Sequence, residues 1–391
     1  MREPIERATV WNAHETGASV DDDFLIFTPD DVDLAQSPLR RSLDADTYVL
    51  GAFNPGLTRL PNGNLLLMVR VAEALCDPVV DGHVHAIRWT PDGYVLDRYR
   101  LDAVEMDDPR SFTVRGGARP LTGLTSLSWL LPVEVTRDGR QVVAVHYDKA
   151  IEPSASYMAY GIEDARISLI GGAWYMTVCA VSDARQCSVL YRSVNGLDYR
   201  CEGIVLDHQN KDMCLFEGKV GGAFMALTRP LGDTWFTPPP DSIWHGGPSI
   251  QMARSPDALH WKPSDNPGIR ARRGSAIDAR MGGGTPPTLT PRGWLALYHG
   301  VEQREKVGVY RTYWTLLDRD DPTQILHLAD EAPLIEARAE LTVPIAHQLY
   351  LPTAVVFTTG IADGGEDDYL VASGEADLAC RMTRIPRSVF A

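Results

Sequence analysis

One pattern of polar and apolar positions recurs along the chain. A turn rich in Gly, Asn or Pro runs into a stretch of apolar and aromatic residues. Pro61-Asn62-Gly63-Asn64 leads into residues 65–70 and Gly171-Gly172 into 173–178. Gly221-Gly222 leads into 223–227, Pro291-Arg292-Gly293 into 294–298, and Asp363-Gly364-Gly365 into 368–372. Each run has strand chemistry, and each turn carries the residues a hairpin needs. A single strand of this kind cannot bury its face alone, and repetition at near-regular intervals is how radial and solenoid folds look in sequence. The five units predict an all-β fold, a five-bladed β-propeller. The pattern by itself leaves an irregular pair of β-sandwiches open. The long gap between the first and second hairpins has room for further strands of one large blade, for example residues 127–135 and 141–147. Short helical turns are expected near residues 32–43 and 320–329. Pro238-Pro239-Pro240 reads as a rigid surface loop. No linker or low-complexity segment divides the chain. Residues 1–391 therefore read as one propeller domain, with residues 1–45 as an N-terminal extension packing on it.

Composition narrows this picture. Hydrophobic residues make up 44% of the chain, enough for a large core without a disulfide or metal staple. The net charge of −15 disfavours non-specific nucleic-acid binding, which needs a basic footprint. It also makes clustered Arg and Lys informative, because an acidic protein that binds an anion must concentrate positive charge locally. No apolar run approaches the length of a membrane span, and residues 1–23 lack the apolar core of a secretory signal. A cytoplasmic protein that contacts neither nucleic acid nor membrane is expected, and a homo-oligomer is left open. Cys76, Cys179, Cys187, Cys201, Cys214 and Cys380 form no C-x-x-C pair and match no zinc module, so they read as small buried hydrophobes.

Candidate chemistry sits beside the turn–strand units, where a propeller would bring distant segments to one pocket. Gly161-Ile162-Glu163-Asp164-Ala165-Arg166-Ile167 places two acids and an arginine before an apolar run. That is a surface ion pair or a carboxylate steered by a neighbouring cation, able to protonate a departing sugar oxygen. Lys211, Arg229 and Arg280 each stand at a strand edge and are either solvated charges or an oxyanion-binding set. Gly282-Gly283-Gly284 allows backbone N–H groups to approach a phosphate, and equally suits a plain loop. Tyr298-His299 closes a strand, with His299 a candidate anion or hydroxyl partner. Asn54, Arg70 and Asp377 suit hydroxyl recognition, and Glu163, Arg166 and Tyr298 join the candidate substrate-binding set. Walker, dinucleotide, nucleophile-elbow and H-E-x-x-H motifs are absent.

Taken in order, these segments resemble the mannoside phosphorylases of glycoside hydrolase family 130. The family's G-(V/I)-x-D-P-R-(I/L), (R/K)-D-x-x-L-F-P-E with a following R-P, K-(I/V)-G-A-G-P-P-P and G-W-L-x-x-Y-H-G-V read here as residues 161–167, 211–217 with Arg229-Pro230, 280–287 and 293–301. Residues 54–59 resemble its N-x-G-x-x-R opening, and 249–261 its S-R-S-P-D-L-x-H-W strand. The resemblance implies a five-bladed propeller and inverting phosphorolysis of β-mannosides to α-mannose 1-phosphate. It implies Asp164 as general acid acting through a sugar hydroxyl, and Lys211, Arg229 and Arg280 as phosphate-binding cations with His299 nearby. Asn54, Arg70 and Asp377 match its sugar-contacting positions. A small oligosaccharide and inorganic phosphate are the implied partners, with no metal or organic cofactor. The chain departs from the pattern at Ala165, Thr285 and Thr353, lacks the Pro after Phe216, and exchanges Arg and Lys at two cation positions. A β-mannoside hydrolase of the same family and a non-catalytic glycan-binding propeller are the competing readings. The Glu163-Asp164 pair leans towards β-1,2 substrates.

Overall fold

The computed structural model describes residues 22–115, 121–231, 237–265, 268–304, 307–346 and 354–390. Thr353 and residues 1–21 lie outside the described residues. Regular structure is almost entirely strand, and the single α-helix among the described residues is one turn, Ala339–Thr342. No helix there is long and apolar enough to cross a membrane.

Five antiparallel sheets of four or five strands follow the five predicted hairpins. Each begins with an edge strand: β1 (Thr47–Arg59), β2 (Ile162–Ile170), β3 (Asn210–Leu215), β4 (Arg280–Gly283) and β5 (Val356–Asp363). Further strands add on one side of it. β1 packs on β2, β2 on β3 and β3 on β4. β5 packs on β1 and on the strands Gly293–Glu302 and Val309–Leu317 of the β4 sheet, so these contacts lead from β1 round to β5 and back.

Alternation explains why the sheets stack. In the strand Leu65–Leu75, Leu65, Leu67, Val69 and Val71 join a cluster with Leu370, Ala372 and Met382 of the β5 sheet. Leu66 and Met68 point the other way, into a cluster with Ile167, Met176 and Val178 of the β2 sheet. Successive side chains leave opposite faces, so one continuous apolar run serves two interfaces. Each fully buried Leu or Met contributes about 1.5–3 kcal/mol.

Residues 126–135 and 142–145 complete the β1 sheet, in the region expected. The gap before them holds more than blade strands. Residues 79–100 form one separate three-stranded sheet, and the strands Val104–Asp108, Ser111–Val114 and Leu121–Leu124 form another, each closed locally by its own antiparallel pairing. Short 3-10 turns occur at Leu34–Gln36 and Leu39–Arg41. The helical turn expected at 320–329 is instead the strand Ile325–Ala329, because Ile325 and Leu328 are used by pairing with Val309–Leu317 and by the core of the β4 sheet. Residues 237–240 form a loop with Pro239 and Pro240 exposed. Asp23–Phe27 enters the β5 sheet as its outer strand, paired with Ala379–Pro386. All six cysteines are free thiols; four are buried and Cys201 is half-buried, but Cys76 is exposed, outside the apolar runs.

Candidate active site

The same backbone device recurs in three neighbouring edge strands. The pairing register of β1 shifts between Phe53 and Gly56, of β2 between Glu163 and Arg166, and of β3 between Lys211 and Cys214. Each shift inserts one extra residue, a β-bulge. Its first residue is left-handed: Asn54 at φ 48°, Asp164 at 55° and Asp212 at 54°. Asn and Asp tolerate this region better than other side chains bearing a Cβ, and a bulge turns a side chain out of the pleat. The sequence thus spends Asx residues where the chain must re-aim a polar group. All three join one buried network.

Asp164 Oδ1 accepts from Asn54 Nδ2 at 2.9 Å and from Arg70 Nη1 at 3.0 Å. Arg70 also donates to Glu163 Oε1 at 2.8 Å and to Ser128 Oγ at 3.0 Å, and its guanidinium lies 4.9 Å from the Phe53 ring centre. Glu163 Oε2 accepts from Lys211 Nζ at 2.9 Å. Burial pushes the Asp164 carboxyl up, but Arg70, Lys211, Arg166 and the Asn54 hydrogen bond together hold it well below the usual carboxylate range. Burial likewise lowers Lys211, yet Glu163 and Asp164 more than offset it and raise its pKa.

Behind this layer Arg166 is fully buried. It donates to the backbone carbonyls of Asp164 at 2.7 Å and Gly284 at 2.6 Å and lies 3.5 Å from Asp212 Oδ1. Arg229 Nη1 stands 2.9 Å from Asp212 Oδ2 and 3.1 Å from His299 Nε2. A guanidinium only donates, so Nε2 is the acceptor and the imidazole proton resides on Nδ1. Burial lowers the His299 pKa to about 3, so the ring is neutral. His299 therefore meets the cation set as a prop for Arg229, in a fully buried position. Asn54 Oδ1, Arg229 Nε and His299 Nδ1 are buried without a hydrogen-bond partner among the described residues. Buried polar groups are normally paired, so a bound ligand is one way to satisfy these three.

The glycine run has a packing cause. A Cβ at Gly282 would stand 2.2 Å from Asp212 Oδ2 and 2.5 Å from His299 Cε1. The carbonyls of Gly283 and Gly284 are directed at Arg166. The run admits the Asp212–His299 pair and serves Arg166 through its carbonyls, in place of the N–H cradle considered from sequence. Thr285 takes its departure position by accepting the Leu297 N–H at 3.2 Å.

The remaining candidates divide. Arg280 is exposed and reaches the cluster through Tyr310, to whose hydroxyl it donates at 3.1 Å. The Tyr310 ring lies 5.8 Å from His299. Asp377, at φ 50°, lies beside β1, where Ala52 N–H donates to the Leu378 carbonyl at 2.8 Å. Burial, Asp164 and Glu163 raise its pKa, against Arg70 and Arg110. Tyr298 does not join. It alternates with His299 along its strand, so it faces the opposite side, stacked 5.7 Å from Tyr313 within the core of the β4 sheet. Sequence reasoning missed Asp212, Tyr310, Ser128 and the rings of Phe53 and Phe357, the last 5.2 Å from Arg166. Asp212 had a signal, an Asx residue following a candidate polar residue as in Glu163-Asp164. Tyr310 had none without the pairing of Val301 with Tyr310, which sets it two residues along from His299 on the same face.

Known proteins share this chain's sequence and fold. The model of glycoside hydrolase family 130, described as beta-1,4-mannooligosaccharide phosphorylase, matches residues 126–390. A beta-1,2-mannobiose phosphorylase of Listeria innocua is 30% identical over 315 residues, 78% of this chain and 83% of the relative. A 1,2-beta-oligomannan phosphorylase of a Thermoanaerobacter species is 30% identical over 55% of this chain and 64% of its own length. The crystal structure of a Listeria innocua beta-1,2-mannobiose phosphorylase bound to beta-1,2-mannobiose superposes with a TM-score of 0.77 at 27% identity, covering 94% of this chain and 97% of that one.

Proposed function

The chain belongs to glycoside hydrolase family 130, and from that premise we propose that it cleaves β-mannosides by inverting phosphorolysis, releasing α-mannose 1-phosphate. A β-1,2-linked substrate is favoured by the names of the Listeria and Thermoanaerobacter relatives. In this reading the five sheets are blades of one five-bladed propeller domain. The bulged edge strands then line its central pocket. The observation that carries the proposal is the convergence of a buried carboxylate, Asp164, with Lys211 and Arg229 from the next sheet.

The balance of the reaction fits a carboxylate that starts ionised. Hydrogen phosphate attacks the anomeric carbon with one oxygen, the bond to the leaving sugar oxygen breaks on the opposite face, and that oxygen gains one proton. The attacking phosphate brings one proton that the product ester does not keep. Asp164 is the group proposed to relay a proton, through a sugar hydroxyl, to the leaving oxygen. Arriving phosphate adds negative charge among the cations that hold Asp164 down, and so raises its pKa towards the range in which a carboxyl can carry a proton. Lys211, Arg229, Arg280 and Tyr310 are the proposed phosphate partners, with Asp212 and His299 holding Arg229 in place. Asn54, Arg70, Glu163 and Asp377 are proposed to hold the mannosyl unit. Inorganic phosphate is the co-substrate, and the proposed chemistry uses neither metal nor organic cofactor.

Product analysis on β-1,2- and β-1,4-mannobiose, with and without phosphate, tests this. Mannose 1-phosphate formed only with phosphate is the expected result. Free mannose formed equally in both conditions would overturn it in favour of hydrolysis.

A further inference from the structure

Glu163 and Lys211 hold the same place in neighbouring edge strands. Each is the residue before the left-handed aspartate of its bulge, Asp164 in β2 and Asp212 in β3. Successive residues of a regular strand point to opposite faces, so Glu163 and Asp164 would ordinarily part. The bulge brings both carboxylates to one guanidinium instead. Glu163 Oε1 accepts from Arg70 Nη2 at 2.8 Å and Asp164 Oδ1 from Arg70 Nη1 at 3.0 Å. The second oxygen of Glu163 reaches the other way, to Lys211 Nζ at 2.9 Å. Each carboxylate oxygen therefore accepts from a different cation, and the side chain is only 8% exposed. Arg70 has a further anchor in Ser128, whereas Lys211 donates to Glu163 alone among the described residues. An ammonium has three protons to give, so two remain for a ligand.

Among the described residues Glu163 is the one side chain bonded both to the mannosyl set, through Arg70, and to the phosphate set, through Lys211. Asp164 accepts from Asn54 and Arg70, and Asp212 turns to Arg166, Arg229 and His299. A carboxylate shared between two cations passes a change at one on to the other. A phosphate oxygen that accepts from Lys211 takes up part of the charge facing Glu163 Oε2, which leaves that oxygen a freer acceptor for a sugar hydroxyl. A sugar hydroxyl donated to Glu163 in turn loosens its hold on Lys211, which can then turn to phosphate. Each ligand eases the binding of the other, and a coupling of this kind is reciprocal. Resting on the mannoside reading above, we propose that Glu163 is a positioning residue that couples the two substrates, so that phosphate and the mannosyl unit strengthen each other's binding.

The test is calorimetric titration of sulfate, a tetrahedral dianion that yields no mannose 1-phosphate. It is run on wild type, Glu163→Gln and Glu163→Asp, each with and without saturating β-1,2-mannobiose. In wild type, mannobiose lowers the sulfate Kd by about fivefold or more. In Glu163→Gln, which keeps the shape without the charge, the two Kd values agree within about twofold. Glu163→Asp keeps the charge but is too short to span both cations, and it loses the coupling as well. A merely structural role would shift both Kd values together and leave their ratio as in wild type. A ratio near one in wild type, a ratio kept in either variant, or no sulfate binding by wild type overturns the proposal. Failure of the phosphorylase reading shows separately. If wild type frees mannose without phosphate, the same ratio is read from the mannobiose KM of hydrolysis with and without sulfate. Matching melting temperatures establish that the variants fold, and the aspartate variant serves should the glutamine variant not.

Discussion

Asn54 Nδ2 donates to Asp164 Oδ1 across 2.9 Å, and each residue is the left-handed member of a bulge in adjoining edge strands. The bond joins two sheets at the carboxylate proposed to handle the proton. Asp164→Asn preserves shape and tolerates the left-handed backbone, but cannot relay a proton. It is expected to lower kcat by about 10²–10⁴-fold while leaving the melting temperature nearly unchanged. Steady-state phosphorolysis beside a thermal melt checks this, and full activity would remove Asp164 from the mechanism.

Because Arg70, Lys211 and Arg166 hold Asp164 well below the usual range, it is ionised in the free protein at neutral pH. Phosphate brought among those cations raises its pKa, so binding is expected to take up a fraction of a proton. Titrating phosphate in buffers of different ionisation enthalpy measures that uptake. Loss of the uptake in Asp164→Asn assigns it. Uptake that persists in that variant excludes Asp164 as the group that takes up the proton, because phosphate among cations releases protons instead.

Asp212 lies 2.9 Å from Arg229 and 3.5 Å from both Arg166 and His299. Asp212→Asn removes the charge that fixes Arg229 without disturbing a backbone conformation that Asn accepts. The phosphate KM is expected to rise about tenfold, with a smaller change in the mannoside KM. Arg229→Ala should show the same pattern more strongly. Equal effects on both substrates would place Asp212 in general folding.

The hairpins were legible because each Gly-rich turn sits between apolar runs, and the carboxylate and cations because they flank those runs. What escaped depends on pairing partners far away in sequence. Tyr310 becomes a site residue only through its register with Val301, and Tyr298 leaves the site only because His299 takes the other face. The run at Gly282 reads as a phosphate cradle until the side chains of Asp212 and His299 are seen to fill its space. The first small sheet turns at Asp81-Gly82 and Asp92-Gly93, hairpin signals that the reading of five units left unused, and the short strands of the two small sheets carry exposed Val79, Val80 and Leu121.

Glu217 predicts a pH dependence of stability. Its Oε2 accepts from Thr288 at 3.0 Å, but burial pushes its carboxyl from 4.5 up to about 7. The folded-state value is raised, so this contribution is fully present below about pH 4.5 and is lost as pH rises through 7. The loss is on the order of 3 kcal/mol. Glu217→Gln should flatten the dependence and melt higher than wild type at pH 8, as denaturation across pH 5–8 would measure. A variant melting lower at pH 8 would mean that the ionised form is stabilised by the fold.

Closure of the β5 sheet rests on a buried charge cluster. Asp23, on the outer strand Asp23–Phe27, receives Arg381 Nε at 2.6 Å and Nη2 at 2.7 Å, while Glu375 accepts from the same guanidinium at 2.8 Å. Arg338 adds a further bond to Asp23 at 2.8 Å. Burial pushes the Asp23 carboxyl up, but the two arginines outweigh it and hold its pKa below the usual value. Its contribution is therefore present above the unfolded carboxylate pKa and is lost as pH falls through the lower folded one. Asp23→Ala leaves Arg381 buried with one carboxylate in place of two and detaches the strand that joins the chain's beginning to its end. A cost of about 3–5 kcal/mol is expected in denaturant unfolding at pH 7, with Arg381→Ala similar and the double variant less than additive. Effects under 1 kcal/mol would mean that the outer strand is dispensable and that the sheet closes through Ala379–Pro386 alone.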